Sequence, residues 1–289
     1  RWDILFELVD NNPRILEFIC SCLIVPQFNH GLLCKWLPRK KQYNNLAQKI
    51  QKRLSWTPKQ YRKFIVENTK VVEQQMCAKK WDEIEYPHVP SVAMNKYRQA
   101  WYRNDQARFE KYVEDVKSGK SKINAGAIFP HDIIKDAVMY SGQKLTSSQI
   151  AQWNSLPNYL DGKKNSMIPV CDVSGSMYGL PIQICIALGL YISERNEGVF
   201  KDAFITFSAN PKMEYLKGDI NERIRQLEHA EWGMNTNFTA VFELILRKAI
   251  ENNLSQDELP ETVLAIRDME FDYCADLTNF EYIKHKPYF

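Results

Sequence analysis

The sequence predicts an α + α/β protein: an all-helical, solenoid-like module over residues 1–160, then an α/β module over 166–289 with a mostly parallel sheet. Three observations carry this. Before residue 160, apolar residues recur at helical spacing with no strand-like run between them. Beyond 166, short apolar runs alternate with helical patterns, which puts helices on both faces of a parallel sheet. Between the two, residues 156–166 are polar and turn-rich and read as a hinge.

In the first module, Asp10-Asn-Asn-Pro13 is a turn and helix start, followed by the apolar segment Ile15–Val25. Leu37-Pro-Arg39-Lys40-Lys41 is a basic loop, and Leu46, Ile50 and Leu54 share one helical face. Thr57-Pro58 is an N-cap with proline at the first helical position, and Tyr61, Phe64 and Ile65 form the next apolar face. Pro87 and Pro90 break the chain before a helix from about Ser91 to Arg103. Asp105 is placed to cap a helix carrying Phe109, Tyr112, Val113 and Val116, ended by Gly119, and Phe129-Pro-His-Asp132 starts another. Paired helices without strands between them predict a solenoid or irregular bundle. In the second module, strands are expected near 167–172, 202–208 and 262–268, and helices near 181–195, 221–229 and 238–252. Pro169 lacks a ladder N–H, so regular pairing is expected to begin after it.

The 289 residues allow two domains of ordinary size. No apolar stretch is long enough to span a bilayer, and Ile15–Val25 reads as a core helix. No secretory signal is visible, and the chain starts at Arg1, so a preceding segment is expected to be missing. Seven cysteines without paired metal-type spacing predict reduced thiols in a cytosol-like compartment; Cys20 and Cys22 are too close for an ordinary disulfide and belong in a helix. The net charge of +3 hides a division: residues 1–165 hold 27 Lys/Arg against 16 Asp/Glu (+11), and residues 166–289 hold 11 against 19 (−8). Such asymmetry is expected when one module meets a polyanion, or when the two halves dock on each other.

Residues 167–178 carry the chemistry. A buried strand runs into Asp172-Val-Ser174-Gly-Ser176, then a turn and a helix opened by Pro181. One carboxylate and two hydroxyls at alternate positions present three hard oxygens to one point, which suits a Mg²⁺- or Mn²⁺-sized cation. The plain alternative is a polar turn capping the next helix. Downstream, Thr236 lies in a polar loop before a helix, and Asp268 ends the strand expected at 262–268. In an open α/β sheet, ligands gather outside the carboxyl ends of the strands, where strand order reverses.

These three segments, in this order, resemble the metal-ion-dependent adhesion site of the Rossmann-like von Willebrand factor A domain. The resemblance gives Asp172, Ser174, Ser176, Thr236 and Asp268 as its five positions, a Mg²⁺ or Mn²⁺ cofactor, and an acidic protein partner that completes the metal's shell. Helices followed by such a domain resemble the Ro autoantigen architecture, a TROVE helical module joined to an A domain. Val89–Arg98 and Phe129–Ile134 are similar to parts of that module. The strings at 35–39 (KWLPR), 90–94 (PSVAM), 170–177 (VCDVSGSM) and 268–272 (DMEFD) resemble a Ro-like family with members in cells and in large DNA viruses. The resemblance covers most of residues 35–289 and implies binding of small structured RNA. A full Ro-type ring needs more helices than residues 1–160 can supply. The chain also ends at Phe289, where an A domain should still have a strand or two and a helix, so its sheet is expected to be completed from elsewhere.

The RNA candidates are Arg39, Lys40 and Lys41; Lys96, Arg98 and Arg103; and Lys120 and Lys122 within the basic stretch 117–122, with Tyr97, Trp101 and Tyr102 nearby for stacking. Alternating charge along a helix also describes a solvated face, and Trp101 a core residue. His131 follows Pro130 at a helix start, where anions are favoured. No His or Lys is placed to activate Ser174 or Ser176, so both are ligands and not nucleophiles. The function expected is a non-enzymatic, cytoplasmic RNA-binding scaffold. The alternatives are a structural assembly protein of a virion without RNA, and a two-metal nuclease built on Asp268, Glu270 and Asp272.

Overall fold

The computed structural model describes residues 2–25, 28, 30–39, 44–69, 71–139, 142–160, 167–208, 210–230 and 238–267. It is mixed α/β, and the chain divides into two compact units, 1–85 and 86–289.

The first unit contains α1 (Trp2–Leu8), α2 (Pro13–Ile24), α3 (His30–Trp36), α4 (Asn44–Leu54), α5 (Pro58–Asn68) and α6 (Val72–Cys77). Helix ends follow local chemistry. Asn12 accepts the Arg14 N–H at 3.0 Å to start α2, with Pro13 in the first turn, where no N–H has an intrahelical partner. Thr57 and Gln60 form a reciprocal capping box at α5. Ile19, Leu23, Leu33, Ile50 and Ile65 fill the core together with Cys20, Cys22 and Cys34. Burial pushes the Cys20 and Cys34 thiols up to about 11, so they are protonated at neutral pH and pack as small apolar groups.

The second unit begins with α7 (Ser91–Asn104), α8 (Gln106–Lys117), α9 (Pro130–Met139) and α10 (Ser147–Asn154). Asp105 sits at the start of α8 but makes no cap: its carboxylate instead accepts the Tyr86 hydroxyl at 2.6 Å and meets Arg108 at 3.3 Å. Then follow β1 (Met167–Cys171), α11 (Leu180–Arg195), β2 (Ala203–Thr206), β3 (Met213–Tyr215), α12 (Ile220–Glu228), α13 (Phe238–Glu251) and β4 (Thr262–Ile266). The sheet order is β3-β2-β1-β4, with β1 parallel to both neighbours and β3 antiparallel at one end.

Side chains of β1 alternate between two cores. Ile168 and Val170 pack with Phe200, Ile205, Val241 and Ile245 on the α13 side. Cys171 faces a larger core that joins Ile133 and Ile134 of α9 and Trp153 of α10 to Leu190 of α11 and Leu227 of α12. Pairing of β1 with β4 runs through Pro169, contrary to the sequence expectation, whereas pairing with β2 starts only at Val170. The reason is the alternation of a parallel ladder. The Cys171 carbonyl accepts the Phe207 N–H on the β2 side, and Asp172 donates to Ile266 on the β4 side. Pro169, two residues before Cys171, therefore directs its missing N–H toward β2, below the start of that ladder.

Two features of this core make testable predictions. Gly189 of α11 lies against β1 so closely that a Cβ would sit 2.6 Å from Cys171 Sγ, which is itself buried. In an exposed helix Gly→Ala gains about 1 kcal/mol, but overpacking here costs about 1–3 kcal/mol. Gly189→Ala should therefore lower the denaturant midpoint, not raise it.

The second feature is the Glu194 cluster. Its carboxylate accepts from Trp153 Nε1 at 2.8 Å and lies 3.5 Å from Arg223 and 3.9 Å from Arg195; Arg223 also pairs with Asp202 at 2.8 Å. Burial raises the Glu194 carboxyl above its ordinary 4.5, opposed by the Trp153 bond and the two arginines and reinforced by Asp202. A carboxyl raised in the folded state favours folding while it is protonated and loses that contribution as pH rises through its folded value. Relative to Glu194→Gln, the wild-type thermal midpoint should fall as pH is raised from 4.5 upward, and the two should converge below it.

Candidate functional site

The strand β1 delivers Asp172 to the carboxyl edge of the sheet, where β1 has β2 on one side and β4 on the other. The Asp172 N–H donates to the Ile266 carbonyl at 3.1 Å, so the ends of β1 and β4 are level. Asp172 is only 4% exposed. Its Oδ1 accepts the Ser174 N–H at 2.9 Å, which turns the chain and brings Ser174 Oγ within 3.0 Å of Ser176 Oγ. A short 3₁₀ turn, Gly175–Met177, follows, anchored by buried Met177. Tyr178 (84% exposed) and Leu180 (55%) stand on the surface beside it. Gly179, with φ +93°, makes the entry into α11 in a backbone region that disfavours side chains.

The donor set fits a small hard cation. The Ser174 and Ser176 hydroxyls are hydrogen-bonded to each other at 3.0 Å, a spacing also found between adjacent oxygens around an octahedral Mg²⁺ with bonds of about 2.1 Å. Among the described residues no three His, Cys, Asp or Glu side chains converge, so Asp172 is the carboxylate of this cluster. Thr236 and Asp268, and with them Glu270 and Asp272, lie outside the described residues. Behind the cluster, Cys185 of α11 donates its thiol toward the Ile266 carbonyl at 3.7 Å. The neighbouring Cys171 thiol and burial hold the Cys185 thiol well above its usual range. Sequence reasoning gave neither cysteine a part in the site. Their positions, one on the strand and one on the inner face of the following helix, are the only trace of that packing in the residue order.

The basic candidates separate by burial. Lys96, Arg103, Lys120 and Lys122 are exposed and carry no ion pair among the described residues. Lys96 lies over the Tyr97 ring, and Arg103 donates to the Gln99 carbonyl at 3.3 Å. His131 is half-buried, its ring stacked on Phe129, which is 68% exposed. Arg39 is exposed but anchored, donating to Thr69 Oγ1 at 2.7 Å; Lys40 and Lys41 lie outside the described residues. Arg98 departs from expectation. It is buried, pairs with Asp136 of α9, and donates to the Asn95 carbonyl at 2.5 Å. Trp101 is also core, packed edge-on against Tyr86. The signal was present in the sequence: Ser91, Met94, Asn95, Arg98 and Trp101 recur at helical spacing and are the buried face of α7.

With this geometry in hand, the chain belongs to the family described as Domain of unknown function (DUF2828), whose model matches residues 6–168. A second model, Domain of unknown function (DUF7788), matches residues 166–287, including the Asp172 cluster. The chain is similar to Uncharacterized protein L728 of Acanthamoeba polyphaga mimivirus, with 32% identity over 298 residues, 93% of this chain and 49% of the relative. It thus spans about half the length of that relative. No solved structure matches. No described helix is long and apolar enough to cross a membrane.

The burial of Arg98 sets a measurable contrast. Removing one partner of a buried ion pair costs about 3–5 kcal/mol. Arg98→Ala should lower the unfolding free energy by roughly that much in a denaturant titration, as expected of a fold residue and not of a phosphate contact.

Proposed function

We propose that this chain is a non-enzymatic RNA-binding scaffold whose Asp172 cluster holds a divalent cation and, through it, an acidic group of a protein partner. The observation that carries the reading is the placement of Asp172, Ser174 and Ser176 at the carboxyl end of a parallel strand flanked by β2 on one side and β4 on the other. The order β3-β2-β1-β4, with its antiparallel end strand, supports reading residues 166–289 as a von Willebrand factor A-like domain. Asp268 is two positions along the chain from Ile266, the ladder partner of Cys171, a span of at most roughly 7 Å. Mg²⁺ or Mn²⁺ would be held by Asp172, Ser174 and Ser176, with Thr236 and Asp268 as the remaining ligands, and would supply a Lewis-acidic position for a partner carboxylate.

The helical part is read as a TROVE-like module that meets RNA. The four exposed cations Lys96, Arg103, Lys120 and Lys122, which carry no ion pair among the described residues, support this, and the excess of 27 Lys/Arg over 16 Asp/Glu in residues 1–165 favours a polyanion. Similarity to a mimivirus protein supports a second reading, an assembly component of a virion.

Two measurements on the full chain test the scaffold. Mg²⁺ should raise the thermal midpoint, by the equivalent of about 2.7 kcal/mol at a hundredfold excess over its dissociation constant. EDTA should reverse the shift and Asp172→Asn should abolish it; a shift surviving in the variant would remove the metal from this site. RNA affinity should fall steeply with salt, and reversing Lys96, Lys120 and Lys122 should flatten the slope by about 0.7–0.9 for each phosphate no longer neutralised. Affinity indifferent to salt would leave the assembly reading.

A further inference from the structure

The first unit contains a cavity of about 360 Å³ between the segment after α3 and the facing sides of α4 and α5. Its size falls within the range of small-ligand sites, about 300–1,000 Å³. Arg39 and Arg62 both line it, and among the described residues no carboxylate does. Arg39 is pre-positioned: Nη2 donates to Thr69 Oγ1 at 2.7 Å and approaches the Cys34 carbonyl at 3.5 Å, which leaves its other N–H groups available. The Arg62 side chain has no ion pair or hydrogen bond among the described residues.

The same cavity is lined by Gln48 and Gln51, one turn apart on α4, and neither side-chain amide has a partner among the described residues. Each offers both donors and an acceptor. The wall is apolar. Tyr61 is buried with its hydroxyl already donated to the Pro38 carbonyl at 3.2 Å, so it presents a ring and no free donor, and Ile65 continues the surface. Two guanidiniums match a phosphate dianion, paired amides match the edge of a heterocycle, and a ring with an aliphatic neighbour matches its face. Inorganic phosphate alone would leave most of this volume and both amides unused.

We propose that this cavity binds a nucleotide through its phosphate monoester, Arg39 and Arg62 taking the phosphate and Gln48 and Gln51 the base. The monoester can belong to a free mononucleotide or to the end of an RNA chain. The site does not require the exposed cations of α7 or the metal cluster, so it can fail while they hold, and the reverse.

The test is calorimetric titration of the full chain with AMP, adenosine and inorganic phosphate, and with a short RNA carrying or lacking a 5′ phosphate. Saturable AMP binding, with adenosine weaker by roughly tenfold to a hundredfold, assigns the free nucleotide. Failure of AMP, with the phosphorylated RNA preferred by a similar factor, assigns the RNA end. In either case Arg62→Glu, and independently Gln51→Glu, which adds a carboxylate to the lining, should weaken binding at least tenfold with the thermal midpoint unchanged. Lys63→Glu, a reversal at the neighbouring position outside the lining, should not. The proposal is overturned if AMP does not bind and the 5′ phosphate makes no difference, or if Arg62→Glu leaves the affinity intact. RNA binding that ignores both the end phosphate and Arg62→Glu would sustain the scaffold reading alone.

Discussion

The hydrogen bond from the Asp172 N–H to the Ile266 carbonyl closes the β1–β4 ladder, and the candidate metal site depends on it. It is the last rung before the strand becomes a loop. It fixes the height at which β1 leaves the sheet, and so the position from which Asp172 can accept the Ser174 N–H. The rung requires β1 to be held from behind, and that is the role of α11. Gly189 admits the Cys171 sulfur where any Cβ would collide with it, and Cys185 approaches the same Ile266 carbonyl from the helix side. Strand, helix and cluster are therefore one packing problem. Its solution uses small, soft residues at the contact, since sulfur and glycine allow an approach that a branched side chain would prevent.

What the sequence revealed follows from how strongly each element is specified by its neighbours in the chain. The run ending at Cys171 is apolar, short and followed by an Asp-x-Ser-x-Ser turn, and it forms the central strand. The helix ends at Asn12 and Thr57 are set by one or two adjacent side chains and were equally readable. By contrast β3 is three half-buried residues, Met213–Tyr215, too few to show a period, and it forms because β2 supplies an edge to pair with. Asp105 occupies the capping position of α8 but bonds Tyr86, nineteen residues earlier, a choice that no local pattern encodes. The proline pair at 87 and 90, read from sequence only as a break, falls next to the division between compact units at 85/86. Helices α9 and α10, by contrast, share their core with α11 and α12, so the polar stretch at 156–166 interrupts the chain without dividing the packing.

Charge was the least legible quantity, because a count of lysines and arginines ignores direction. Lys96 and Arg98 are two residues apart and sit about 200° apart around α7. One lies in solvent, and the other in a core with Asp136 and Asn95. In the first unit, Lys35, Lys49 and Arg53 are matched with Glu73, Asp10 and Glu17. Such exposed pairs add little to stability, but each removes a cation from the field a polyanion would meet. The 27 Lys/Arg of residues 1–165 are therefore an upper bound on the cations open to a partner, although each pair removes an anion as well and leaves the excess over the 16 Asp/Glu unchanged.

That correction also changes where specificity can arise. Exposed lysines on mobile stems attract any polyanion and distinguish little among sequences or ends. Discrimination needs groups that are held in place and face a bounded volume. In the first unit the Thr69-anchored guanidinium of Arg39 lines the same cavity as the Gln48 and Gln51 amides of α4 and the ring of Tyr61. In the second a held group is Asp172, buried and accepting the Ser174 N–H, next to the hydrogen-bonded hydroxyls of Ser174 and Ser176. Both clusters hold a polar group in place through a hydrogen bond, whereas Lys96, Arg103, Lys120 and Lys122 are exposed and carry no ion pair among the described residues. In the scaffold we propose, exposed charge would gather nucleic acid, and the groups held in place by hydrogen bonds would select among the molecules gathered.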